Sequence, residues 1–214
     1  MTLAAKHIKN IYASNIVRRY DASISHFFNN YKKRAIQESS LKNGDKVLVY
    51  CCGTGLDFSY ILEKIGPEGK IIGVDFSPEM LKMAENKIEK NQWKNIELIN
   101  ADVTKFKNNF VQKADAGVCT LGMSIIPDFK SAYYSLLSNV NEQGVIVIGD
   151  MQLASSWRAL FNPITVSLSK RFGGTTEGHQ NSLELFSLMK MELTDLKKKE
   201  FFLGAYYYCV GNKR

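Results

Sequence analysis

The 214-residue chain is 45% hydrophobic and 23% charged, with a net charge of +7. This is the composition of one globular domain with a sizeable core, and it excludes disordered, collagen-like and small disulfide-stapled chains. No apolar run approaches the roughly 20 residues that span a bilayer, and residues 1 to 10 lack the apolar stretch of a secretory signal, so a cytoplasmic location is the expectation.

The basic charge is concentrated at the start. Residues 1 to 46 carry nine basic and three acidic side chains, so this segment is +6 and the remainder +1. Within it, Ile8, Ile11, Tyr12, Ile16 and Tyr20 recur every three to four residues, and Ile24, Phe27, Phe28 and Tyr31 continue the apolar pattern. The spacing predicts helix over residues 3 to 40, with one apolar stripe on a basic surface. Such a surface suits an anionic partner, including a membrane face; a plain solvated helix is the competing reading. Asn43-Gly44-Asp45 then marks a turn.

From there strands and helices alternate. Val47 to Tyr50 reads as a buried strand that runs into Cys51-Cys52-Gly53-Thr54-Gly55, with a helical stretch from Leu56 to Ile65. Lys70 to Asp75 is a second strand, followed by Ser77 as helix cap and Pro78 at the first helical position. Asn95 to Ile99 and Ala114 to Thr120 are the third and fourth strands. A helix near Asp128 to Val140 leads to a fully apolar fifth strand, Gly144 to Gly149. Apolar strands alternating with helices predict an α/β fold with a parallel sheet covered on both faces. After Asp150 the rhythm changes. Residues 155 to 171 read as a basic-aromatic helix, Phe172 to His179 as a flexible glycine-rich loop, and Ser182 to Met189 as a short helix. Strands near Glu192 to Phe202 and Ala205 to Val210 close the chain as an antiparallel pair. The expected organisation is an N-terminal helical lid over residues 1–45 and a core over 46–214, with an insertion near 151–190 that forms the substrate pocket.

The four cysteines, Cys51, Cys52, Cys119 and Cys209, show no CxxC spacing, and adjacent strand cysteines point to opposite faces. Reduced buried thiols are expected and no metal site is assigned. Gly53-x-Gly55 lacks the third glycine of a dinucleotide loop, since Phe58 stands there, so a pyrophosphate cofactor is disfavoured. Asp75 ends the next strand, where a carboxylate accepts from ribose hydroxyls. Asp102 follows the third strand, where an acid accepts from an adenine amino group, and Phe76 and Met80 are placed to pack on a base.

The series VLVYCCGTG, GVDFSPEML, NADV and ADAGVCTLG, in this order and spacing over roughly residues 20 to 150, resembles the class I S-adenosylmethionine-dependent methyltransferases. The resemblance implies a Rossmann-like seven-stranded, mostly parallel sheet with helices on both faces and an antiparallel last strand. It implies S-adenosyl-L-methionine as cofactor. Cys52, Gly53 and Gly55 would surround its methionine part and Asp75 its ribose. Asp102 and Val103 would face the adenine, with Phe76 and Met80 at its edges, and Cys119 would line the inner wall. Two positions depart from the family pattern: Val49 replaces an acid that supports the methionine amino group, and Cys51 replaces a glycine. Asp57 is the candidate for the missing charge.

Methyl transfer from a sulfonium is a displacement with an activated leaving group, so alignment of the acceptor is the main requirement. A base is needed only where the acceptor must lose a proton, and no residue is assigned that role. His179, His26 and Tyr20 are the candidates, with Asp128 a further one. Gly122 to Asp128 and Phe201 to Tyr208 bear a loose resemblance to lipid head-group N-methyltransferases, and the whole pattern is most similar to the branch acting on quinones and lipid head groups. The expected acceptor is a small or lipid-like molecule, with peripheral contact at an anionic membrane. The absence of an added nucleic-acid module argues against that substrate. The rival readings are a non-catalytic S-adenosylmethionine-binding sensor or partner subunit, and an enzyme moving another group from the same or a decarboxylated cofactor.

Overall fold

The computed structural model describes residues 16–107 and 112–214, and among these the side chains of all but 16–20, 22–26 and 171. The first part of the expected N-terminal helix, residues 3–15 with Ile8, Ile11 and Tyr12, lies outside the described residues, as do the side chains of Tyr20 and His26.

Helix α1 (Ile16–Glu38) precedes β1 (Lys46–Tyr50), α2 (Phe58–Ile65), β2 (Lys70–Asp75), α3 (Pro78–Lys90) and β3 (Ile96–Asn100). Then come β4 (Ala114–Thr120), α4 (Phe129–Ser138), β5 (Val140–Met151), α5 (Asn162–Ser169), α6 (Thr176–Glu192), β6 (Leu193–Phe201) and β7 (Tyr206–Lys213). The strands form one sheet in the order β3-β2-β1-β4-β5-β7-β6. All run parallel except β7, which inserts antiparallel between β5 and β6. The order reverses between β1 and β4, so the crevice at the carboxyl ends of these two strands is the place for a ligand.

Strand alternation divides the core in two. Val47, Val49, Ile71 and Val118 pack beneath α1, α2 and α3 with Ile36, Phe58, Ile61 and Leu81. Leu48, Tyr50, Ile72 and Ile146 pack beneath α4 and α6 with Tyr133, Leu136, Leu185 and Met189. Both faces of the central strands β1, β2, β4 and β5 are therefore buried, which is why their inner residues are apolar, whereas the edge strands β3 and β6 carry charges such as Glu97 and Lys197. Local signals work as expected at α3: the Ser77 hydroxyl accepts from the Met80 N–H at 3.2 Å, with Pro78 in the first turn.

Three expectations are corrected. The fifth strand starts at Val140 rather than Gly144. Residues 155 to 171 are not one helix: Ser156–Phe161 and Lys170–Phe172 are 3-10 turns flanking α5. The glycine-rich stretch to His179 is not all loop, because α6 begins at Thr176, capped by the Thr175 hydroxyl. Gly178 lies in its first turn because a Cβ there would meet the Ser124 carbonyl oxygen at 2.0 Å. Close packing, not chain flexibility, explains that glycine.

Candidate cofactor and acceptor site

The site starts where β1 ends. Cys51 adopts φ 50, a left-handed conformation that turns the chain out of the strand. Its side chain joins the α4/α6 face, while Cys52 packs on the α1/α2 face. The Cys51 and Cys119 thiols face each other, and this neighbour together with burial pushes the Cys51 pKa up. Gly122 fits against them: a Cβ there would lie 2.9 Å from each sulfur. Gly53 and Gly55 follow with positive φ, and a Cβ at Gly55 would strike the Phe58 ring at 2.5 Å. Contact closes Gly55 to a side chain, whereas at Gly53 only the left-handed backbone disfavours one.

Asp75, at the end of β2, clasps this loop. Its Oδ2 accepts from the Gly53 N–H and its Oδ1 from the Ser77 N–H, each at 2.9 Å. Burial pushes its acid pKa up, opposed by the amides of Ser77, Gly53 and Phe76. The carboxylate thus links the glycine loop to the start of α3 at the carboxyl edge of the sheet, with lone pairs left for further donors.

Asp57 sits just before α2, almost wholly buried. Its Oδ2 accepts from the Thr120 hydroxyl and from Lys32 of α1, whose Nζ is 3.3 Å away. Its Oδ1 has no hydrogen-bond partner among the described residues. The Tyr206 hydroxyl and Asn29 Oδ1 are likewise unpartnered, and the Asp57 charge raises the Tyr206 pKa further above what burial alone imposes. Asp21 completes the attachment of α1. Its carboxylate accepts from the Thr54 hydroxyl and pairs with Lys87 at 3.0 Å. A groove of about 550 Å³ opens here between α1, the glycine loop and α3, lined by Asp21, Asn29, Gly55, Tyr60, Lys87 and Trp93 among others.

The remaining expected residues divide. Met80 and Val103 are buried and Phe76 is half-buried, all near the ends of β2 and β3. Asp102 is exposed, and its Oδ1 caps the next turn by accepting from the Thr104 N–H at 2.9 Å and hydroxyl at 2.7 Å. The Cys52 side chain does not line the crevice wall shared by Cys51 and Cys119; its sulfur lies 3.0 Å from where a Cβ of Gly73 would stand. The sequence reading missed Lys32, Thr120 and Asp21, whose relevance arises from contacts 25 to 63 residues apart.

A second polar group stands on the other face, at the carboxyl ends of β4 and β5. The Asp150 carboxylate accepts from both the N–H and hydroxyl of Ser124. Burial pushes its pKa up to about 6, against these hydrogen bonds. Beside Ser124 lies the first turn of α6 with His179, fully buried rather than on a mobile loop. Burial holds its imidazole pKa below the usual value. Among the described residues both ring nitrogens are unpartnered, as are the hydroxyls of Ser182 and Tyr207, which neighbour each other without a well-formed hydrogen bond. Asp128, by contrast, caps α4 through Ser131. Among the described residues, no cluster of three or more His, Cys, Asp or Glu side chains is arranged to hold a metal ion.

A seven-stranded sheet of this order, with a carboxylate-clasped glycine loop at its reversal point, is the Rossmann-like architecture of class I methyltransferases. A SAM-dependent methyltransferase from Aquifex aeolicus superposes with a TM-score of 0.69 over 92% of this chain and 97% of that one, at 16% identity. Residues 41–195 match the family described as a methyltransferase domain, and the chain belongs to that family. Its sequence is 30% identical over 137 residues to a demethylmenaquinone methyltransferase of Listeria welshimeri, covering 62% of this chain and 56% of that protein. A demethylmenaquinone methyltransferase of Geobacillus stearothermophilus is 31% identical over 119 residues, covering 55% and 50%. The chain thus spans about half the length of these relatives.

Proposed function

We propose that the chain transfers the methyl group of S-adenosyl-L-methionine to a small amphiphilic acceptor of the quinone or lipid type. The observation that carries this is Asp75, held at the end of β2 by the amide of the glycine loop. A fixed carboxylate there accepts from two vicinal hydroxyls, as a ribose requires. The unpartnered Oδ1 of Asp57 fits the ammonium of the methionine part, supplying at a new position the charge that Val49 lacks. Met80, Phe76 and Val103 offer the apolar surface for an adenine, with Asp102 at its rim. Cys52, Gly53 and Gly55 supply the loop backbone and Cys119 the inner wall.

The bound cofactor supplies a sulfonium-activated methyl group. The chain's residues would place the acceptor opposite it. On that side His179, neutral and buried, offers one nitrogen as acceptor and one as donor, and Ser182 and Tyr207 add hydroxyls. The quinone-type acceptor is supported by the names of the relatives. Residues 1–45 act as the lid: Asp21 and Lys32 dock α1 on the glycine loop. The segment 151–190 walls the acceptor side.

Titration calorimetry with S-adenosyl-L-methionine tests the first step; no heat at millimolar cofactor refutes the proposal. A labelled-methyl assay against quinols, lipid extracts and small amines tests the second. The buried, apolar Val49 favours one alternative, a non-catalytic sensor; cofactor binding without methyl transfer to any of these acceptors would select it.

A further inference from the structure

The segment after β5 contradicts the usual arrangement of an amphipathic helix. From Ser156 to Ser169 a 3-10 turn and α5 present large apolar side chains, yet no residue of either is buried. Trp157 is 66% exposed, Leu160 81%, Ile164 59% and Leu168 64%. Their spacing of three or four residues puts them along one side of the segment. The segment is held in place by polar groups instead. The Asn162 side chain accepts from the Ala154 N–H at 2.8 Å and donates to the Ala154 carbonyl at 3.0 Å. Arg158 pairs with Glu200 at 3.4 Å and packs against Gly204. The adjoining turn between β6 and β7 adds exposed Phe202 and Leu203.

We propose that this face is a docking surface for an anionic membrane interface. Two observations select that occupant. First, residues 151 to 176 contain Arg158, Lys170 and Arg171 and no acidic side chain. Arg158 is engaged by Glu200, and exposed Lys170 stands at the end of the apolar stripe, so this acid-free segment complements anionic head groups over a hydrocarbon boundary. A second copy of the chain would instead bring like charges together around the same stripe. Second, the segment leaves the carboxyl edge of the parallel strands, the edge that carries the glycine loop and Asp75. Docking through it turns the crevice toward the bilayer, from which an acceptor with a lipid tail enters without crossing water. The purpose of the surface rests on the proposed lipid-type acceptor; the binding itself does not.

The test is co-sedimentation of the full chain, without cofactor or acceptor, with vesicles of phosphatidylcholine alone or mixed with phosphatidylglycerol. The mixed vesicles should retain the protein and the neutral ones should retain much less, with added salt weakening the difference. Trp93→Phe leaves Trp157 as the single tryptophan, and its emission should shift to shorter wavelength on the mixed vesicles. Leu160→Glu with Ile164→Glu should lower vesicle affinity by about tenfold or more. Both side chains are exposed, so helical content and S-adenosyl-L-methionine binding should be unchanged. Indifference of the wild-type chain to anionic vesicles overturns the proposal. So does unaltered vesicle binding by the double variant, or a wild-type dimer in solution that the double variant abolishes. Failure of the methyltransferase reading would appear separately, as loss of cofactor heat with vesicle binding intact.

Discussion

The Lys32 ammonium and the Asp57 carboxylate meet 3.3 Å apart, each side chain only 5% exposed, and they join α1 to the turn that follows the glycine loop. Removal of one partner strands the other charge in a low-dielectric setting, whereas removal of both does not. Lys32→Met should therefore destabilise the fold by about 3 kcal/mol or more, and Lys32→Met with Asp57→Leu should recover much of that loss. Urea denaturation of the two singles and the double measures the coupling. The double variant should still lose affinity for S-adenosyl-L-methionine, since Asp57 Oδ1 is proposed to meet its ammonium. Unchanged affinity would remove Asp57 from the site.

Asp75→Ala removes a charged acceptor from two proposed ribose hydroxyls and releases the Gly53 amide. Each such hydrogen bond contributes about 1.5–3 kcal/mol, so cofactor affinity should fall by about a hundredfold or more. Calorimetry reads the change directly. Wild-type affinity in this variant would contradict the assignment of Asp75.

Asp150 gives stability a pH dependence of unusual sign. Its folded pKa of about 6 lies above the ordinary aspartate value of 3.8. The folded state therefore holds a proton that the unfolded chain releases. The associated stability is present in full below the unfolded pKa and is lost as pH rises through the folded one. The loss amounts to up to about 3 kcal/mol between the two values. Asp150→Asn should abolish this portion of the decline. Thermal or urea midpoints of both proteins across that window provide the comparison; parallel curves would show that Asp150 titrates normally.

Cys51 occupies a left-handed position that favours glycine. Cys51→Gly should change stability by no more than about 1 kcal/mol, relief of strain being offset by backbone entropy. Cys51→Val should cost more, because a branched side chain tolerates that conformation poorly. If Cys51→Gly binds S-adenosyl-L-methionine as the wild type does, the thiol at this position is not needed for the cofactor.

What could be read in the sequence was whatever depends on neighbours along the chain. The apolar strands, the Ser77 cap with Pro78 and the position of Asp75 at a strand end all follow from local pattern, and the fold contains each of them. The attachment of α1 did not, because Asp57 gains its meaning from Lys32 and Thr120, far away in sequence. His179 was misplaced for a related reason. Gly173 and Gly174 do mark a break, but Gly178 belongs to a helix and is small because Ser124 lies against it. Composition near residue 175 cannot separate those two uses of glycine.

The placement of β7 bears on the order in which the molecule assembles. Among the described residues β6 borders no strand except β7, although it precedes β7 in the chain. During synthesis it therefore waits, without a ladder to join, until Tyr206–Lys213 has emerged and found the side of β5. Lys197, Lys198 and Lys199 in β6 provide consecutive like charges that discourage premature pairing with another chain during this interval. The strand inserted last thus governs when the outer edge of the sheet can exist at all.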